Sequence, residues 1–214
     1  MLLILCPSSA IIQEIERISN TEMGHMAYFF FDFNDTGKQD SRALLASVLV
    51  QLSVQCTSFY NILLDFYSAH QHGSKQPSES ELFLCLEEIL RVSRTVPIYL
   101  IMDALDECPD SQRAKVLELL EELVRFQFPN LRLCIASRSE VDIRTILEPL
   151  TSTCNRVSLH DEDGQKKDIA DYVSSGVKTM KWREEDKELV IRALSIKNDR
   201  VYARCSPLIT LFLT

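Results

Sequence analysis

Glycine is scarce in this chain, five residues among 214, and none stands near the N-terminus. Loops that wrap a phosphate in backbone amides are glycine-rich, so the sequence shows no such loop. Positive charge is also in short supply. Twenty-three Lys and Arg against 31 Asp and Glu give a formal charge of −8 and a pI near 5.1, and the basic residues are scattered. Neither nucleic acid nor an anionic membrane is therefore an expected partner. No C-x-x-C pair occurs. The seven cysteines, Cys6, Cys56, Cys85, Cys108, Cys134, Cys154 and Cys205, are far apart and odd in number. That pattern excludes a disulfide framework and predicts reduced, buried thiols in the cytoplasm. Long apolar runs are missing too. Residues 1–6 lack a basic leader and stop at Pro7, and residues 208–213 are too few to span a bilayer, so neither a signal peptide nor a transmembrane helix is expected. There is no G-x-S-x-G and no Cys/His catalytic pattern.

What the chain does have is core-forming material: 46% hydrophobic and 25% charged residues predict one globular domain, or one plus a fragment. Ile11, Ile12, Ile15 and Ile18 form a helical stripe behind Ser8 and Ser9. The aromatic run 26–33 predicts a strand buried on both faces, closed by the Asn34-Asp35-Thr36-Gly37 turn. Leu44, Leu45, Val48, Leu49 and Leu52 mark a second helix, and a shorter one around 62–68 leads into the polar loop 71–77. Ser78 and Glu81 have the spacing of a capping box ahead of the next helix. Strands are expected at 98–102, 131–136 and 156–159, with helices from about 111, over 141–150, around 169–177 and over 184–196. Strands separated by helices imply parallel crossovers, hence a doubly wound α/β sheet with helices on both faces. Ligands on such sheets bind at the carboxyl ends of the strands.

Two strand ends carry candidate chemistry. Ile98-Tyr99-Leu100-Ile101-Met102 delivers Asp103, Asp106 and Glu107 at its carboxyl end. Hydrolysis of a nucleoside triphosphate needs one carboxylate to hold Mg²⁺ and another to orient or deprotonate water. Asp103 suits the first role, and Asp106 or Glu107 the second; equally, acids collect at the wet end of any buried strand. The run 131–136 ends in Ser137-Arg138, where Arg138 could reach a terminal phosphate with its fork of donors or could simply be a surface ion pair. His70 and His72 offer two imidazoles to a metal but have no third ligand nearby in sequence, so a solvated loop is the expected reading. Trp182 is expected to anchor packing.

Asp103-Ala104-Leu105-Asp106-Glu107-Cys108 resembles the Walker B segment of fungal NACHT proteins, STAND-class P-loop NTPases. The aromatic segment 28–35 resembles the strand before it, and Ala136-Ser137-Arg138 resembles the sensor strand end. The nephrocystin-like N-terminal type is the nearest in pattern, over roughly residues 8–196. The resemblance implies a P-loop NTPase-like α/β fold, with Mg²⁺ and ATP or GTP as cofactors of a full-length parent. It gives Asp103 to the metal, Asp106 and Glu107 to catalysis and Arg138 to the terminal phosphate. It further implies a strand and a loop ending in Gly-Lys-Ser or Gly-Lys-Thr just before the first helix, where Met1 and Leu2 stand instead. The expectation is therefore a truncated domain, with residues 1–7 a remnant, 8–160 an NTPase core, 161–197 a helical extension and 198–214 an atypical tail. Its sheet should have about four strands and a gap between 131–136 and 156–159, inviting self-association. Three functions follow: a partial nucleotide-binding regulatory switch domain, unable as given to bind or hydrolyse nucleotide, with other domains of its parent as partners; a pseudo-NTPase interaction scaffold; or a Mg²⁺-dependent hydrolase of another class.

Overall fold

The computed structural model describes residue 12 and residues 24–138, 140–150, 155–158 and 207–213. Three apolar runs form the parallel part of its sheet: β1 (His25–Phe30), β2 (Ile98–Asp103) and β3 (Leu131–Arg138). Residues of β2 and β3 are buried on both faces of the sheet, which is why these strands read as mostly apolar segments and not as an alternation, whereas Tyr28 of β1 is exposed. Ala27, Phe29, Leu100, Met102, Leu133 and Ile135 point into the larger core. Met26, Ile101, Cys134 and Ala136 point the other way and meet Ile12, a helical residue. The expected α/β class is therefore present.

Five helices are described: α1 (Ser41–Ser53), α2 (Thr57–Ala69), α3 (Glu79–Val92), α4 (Asp110–Arg125) and α5 (Val141–Leu150). The stripe Leu44, Leu45, Val48, Leu49 and Leu52 is buried as its spacing requires, behind an N-cap in which Asp40 accepts from the Ala43 amide. Ser78 and Glu81 make both bonds of the capping box that starts α3. Helix α2 begins earlier than expected, at Thr57, because Phe59 is buried and extends its apolar side by a turn. Strand β1 ends earlier, at Phe30. After the Phe31 amide bonds the Asp103 carbonyl, the Gln39 side chain draws the carbonyls of Asp32 and Phe33 into a turn. His70 and His72 have local partners. His70 is buried, with Nδ1 on the Phe66 carbonyl and Nε2 3.4 Å from Glu81, while His72 meets the Tyr67 ring edge-on.

The outer edge of β1 is closed by side chains. Gln55 donates to the Met26 carbonyl at 2.6 Å and accepts from its amide at 3.0 Å; Gln51, one turn earlier, does the same for Tyr28 at 2.7 and 3.0 Å. Two primary amides at i and i+4 on α1 thus take the place of a neighbouring strand, satisfying groups that an open edge would offer to another chain.

At the far side the expected gap is filled. Strand β5 (Pro207–Leu213), from the segment read as an atypical tail, lies between β3 and β4 (Asn155–Ser158), giving the order β1-β2-β3-β5-β4. It runs antiparallel to both neighbours. The expectation of four strands and a defect is corrected: the apolar edge of β3 is satisfied within the chain. The expected helices at 169–177 and 184–196, Trp182, and all of the first helix but Ile12 lie outside the described residues. Among the described residues no helix is long and apolar enough to cross a membrane.

Candidate functional site

The residues singled out at the two strand ends sit side by side because β2 and β3 are parallel neighbours whose carboxyl ends face the same way. Asp103 ends β2 and is 5% exposed; one carboxylate oxygen accepts the next residue's amide, Ala104, at 2.8 Å. It lies on the sheet face that holds Ile101 and Ile12. Ala104 adopts a left-handed conformation, φ 56° and ψ 40°, which only a compact side chain tolerates readily. That reversal turns the chain into the short helical turn Leu105–Glu107 and separates the directions of the acids.

Asp106 turns toward β3. Its Oδ1 accepts from the Arg138 amide at 2.9 Å and the Ser137 hydroxyl at 3.3 Å, and its Oδ2 lies 3.2 Å from Arg138 Nε. Glu107 turns toward the exit of β1 and accepts from the Phe33 amide at 3.4 Å. Of the four residues named from sequence, Asp106 and Arg138 are in direct contact, while Asp103 and Glu107 flank them. The Arg138 side chain is half exposed, so its guanidinium pairs with Asp106 while still facing solvent.

Arg113, which sequence reasoning missed, holds this loop in shape. It is buried at the first turn of α4. One guanidinium nitrogen donates to the carbonyls of Asp106 and Cys108, both at 3.1 Å; the others reach Asp110 at 2.6 Å and Asp142 on α5 at 2.7 Å. Burial opposes its charge, but the carboxylates, Asp142 first, outweigh that and raise its pKa. Asp142 is likewise pulled up by burial and held below its ordinary value overall by the Arg113 hydrogen bond and the Ile143 amide. The available signal was weak: an Arg three residues after Asp110 in the helix that follows the acids.

Two thiols border the site. Cys108 donates to the Gln39 carbonyl at 3.0 Å, and burial pushes its pKa up to about 11. Cys134 is raised to about 11 by burial and by the nearby Asp103 charge. Both stay protonated at neutral pH and are poor nucleophiles. An apolar cleft of about 460 Å³ between α1 and α2, lined by Val50, Tyr60, Leu64 and Tyr67, contains none of the four candidate residues.

Among the described residues no three His, Cys, Asp or Glu side chains converge to hold a metal on their own. A single strand-end carboxylate such as Asp103 does fit a Mg²⁺ ion that takes its other ligands from water and phosphate oxygens. It does not fit a protein-only metal centre built from Asp103, Asp106 and Glu107.

A family model described as Nephrocystin 3, N-terminal matches residues 6–138, ending at the last residue of β3. No curated protein matches the chain, and no solved structure does. The match takes in more than half of the chain, including both strand ends of the candidate site, and the chain belongs to the nephrocystin 3 N-terminal family.

Proposed function

We propose that the chain is part of a NACHT-type nucleotide-binding regulatory domain, of the kind that acts as a signalling switch, and that these 214 residues alone bind ATP or GTP weakly or not at all. The observation that carries this reading is the Asp106–Arg138 contact at the adjoining carboxyl ends of β2 and β3, with Asp103 and Glu107 flanking it. On a parallel sheet that is where a ligand sits. Asp103 is the residue that would hold Mg²⁺, and Glu107, tied to Phe33 by one long bond, is the acid freer to act on water. When bound, Mg²⁺ would neutralise charge on the phosphates. Arg138 meets Asp106 through Nε and is half exposed, so its guanidinium could reach a phosphate oxygen while keeping that partner. The sequence offers no glycine-rich loop to supply the amides that wrap a triphosphate, which supports weak binding.

The Asp106–Arg138 pair favours a second reading, an interaction scaffold in which these residues only brace the sheet. The other domains of its parent are the partners proposed under both readings. Isothermal titration of the chain with Mg²⁺-ATP and Mg²⁺-GTP tests the first. Heat signals too weak to saturate at millimolar nucleotide, lost altogether in Asp103→Asn, are expected for a partial site; signals identical in Asp103→Asn leave the scaffold. A dissociation constant in the low micromolar range would refute weak binding and require a phosphate cradle elsewhere in the chain.

A further inference from the structure

The sheet changes character at β3. On one side it is parallel, and on the other β5 runs antiparallel along all seven of its residues, from Arg138↔Pro207 to Arg132↔Leu213. Among the described residues β4 pairs only with β5, over Asn155–Ser158, and through it joins the rest of the sheet. The segment that fills this slot reaches it after a connection of 48 residues, 159–206. A connection of that length can extend to ~160 Å, so chain length does not dictate which copy of the molecule supplies the strand. The segment Pro207-Leu208-Ile209-Thr210-Leu211-Phe212-Leu213 carries no charge and no glycine, a composition that adheres readily to an unpaired strand edge. The opposite edge of the sheet is sealed by Gln51 and Gln55, which directs strand addition to the β3–β4 slot.

We propose that the slot between β3 and β4 is a strand-exchange site that accepts the 207–213 strand of a second copy of this chain, giving a reciprocal dimer. The ladder of the exchanged dimer reproduces that of the monomer bond for bond, and only the connection differs. Pairing within one copy is independent of concentration and pairing between two copies is not, so the monomer prevails when dilute and the dimer grows with concentration. This inference does not depend on the nucleotide reading.

The test uses the full chain with Phe212→p-benzoylphenylalanine, prepared unlabelled and ¹⁵N-labelled. The two forms are refolded together from urea and irradiated at low and at high micromolar concentration. Peptides joined to position 212 are then weighed. At high concentration, cross-links between position 212 and residues 131–138 should include a heavy-to-light fraction that rises toward one half as the dimer fills, and light scattering should report a dimer. Both should fall on dilution. Cross-links confined to one isotope at both concentrations overturn the proposal, as do heavy-to-light links that join a different segment. Thr210→Pro removes a ladder amide at the centre of β5 and should abolish the dimer; a dimer undiminished by it uses another surface, and the strand-exchange site falls.

Discussion

Asp106 holds Arg138 at two points, accepting the backbone amide at 2.9 Å through one carboxylate oxygen and meeting Nε at 3.2 Å through the other. The backbone half of this contact is the more consequential. It joins the turn after β2 to the end of β3 whatever the guanidinium does, and the Ser137 hydroxyl adds to it. Asp106→Ala removes the charged acceptor of the Arg138 amide and the Ser137 hydroxyl and should cost about 1–3 kcal/mol. Arg138→Ala removes a half-exposed ion pair and should cost under about 1 kcal/mol. Urea unfolding of the two variants gives the ranking, and the reverse order would show that the guanidinium is the essential element of the junction.

Arg113 should matter more than any of the four residues read from sequence. Arg113→Ala strips a charged donor from the Asp106 and Cys108 carbonyls, at a cost of about 2–4 kcal/mol. Arg113→Lys keeps the charge but cannot span Asp110, Asp142 and both carbonyls, so it should recover only part of that. Amide exchange provides a second readout: residues 104–110 should lose protection in Arg113→Ala before the strands do.

The two glutamines on α1 make a claim about solubility. The double variant Gln51→Ala, Gln55→Ala exposes the backbone groups of Met26 and Tyr28 on the outer edge of β1. Stability should drop by about 1–2 kcal/mol, and light scattering should detect aggregates that the parent chain does not form. A variant as soluble as the parent would mean that the edge is guarded by something other than these amides.

Stability should depend on acid through the start of α3. The Ser78 amide, followed by its hydroxyl, lowers the Glu81 pKa from an ordinary 4.5 to about 2. A carboxylate depressed on folding stabilises fully above its unfolded pKa, and that contribution is lost as pH falls through the folded value. The helix start should therefore weaken between about pH 4.5 and 2. Glu81→Gln retains an acceptor without the charge and should flatten this part of the pH profile measured by thermal unfolding.

Ala104 is a steric test of the turn. At φ 56° a β-branched side chain is strongly disfavoured. Ala104→Val should destabilise by ~1–2 kcal/mol, whereas Ala104→Gly should be tolerated. Equal melting temperatures for Val and Gly would mean that the turn can adopt another conformation without cost.

Strands β2 and β3 were legible because their apolar runs are nearly unbroken: residues 98–102 are all apolar, and 131–136 are interrupted only by Arg132. The capping box was legible because both partners lie three residues apart. Most of the failures share a physical cause, which is that at least one partner is distant in sequence. Asp106 and Arg138 were given separate roles, and only the parallel register of β2 and β3 puts them in contact. Arg113 draws its acceptors from the acid loop and from α5, and Gln51 and Gln55 act on a strand that precedes them by more than twenty residues. The antiparallel β5 could not be read from its own residues, because its place depends on a slot that the rest of the sheet creates.

That late strand also sets a timetable for synthesis. Arg138 pairs with Pro207, 69 residues on, and Arg132 with Leu213, 81 residues on. At the ~5–20 residues per second of translation, about 4–15 s separate the emergence of β3 from that of the segment that covers it. Throughout that interval β1–β3 can assemble, with the β1 edge already sealed by α1, while the backbone of β3 stays open beside the ribosome. A chaperone that shields extended apolar backbone would have its longest opportunity there, and slowing translation between codons 140 and 206 would lengthen it.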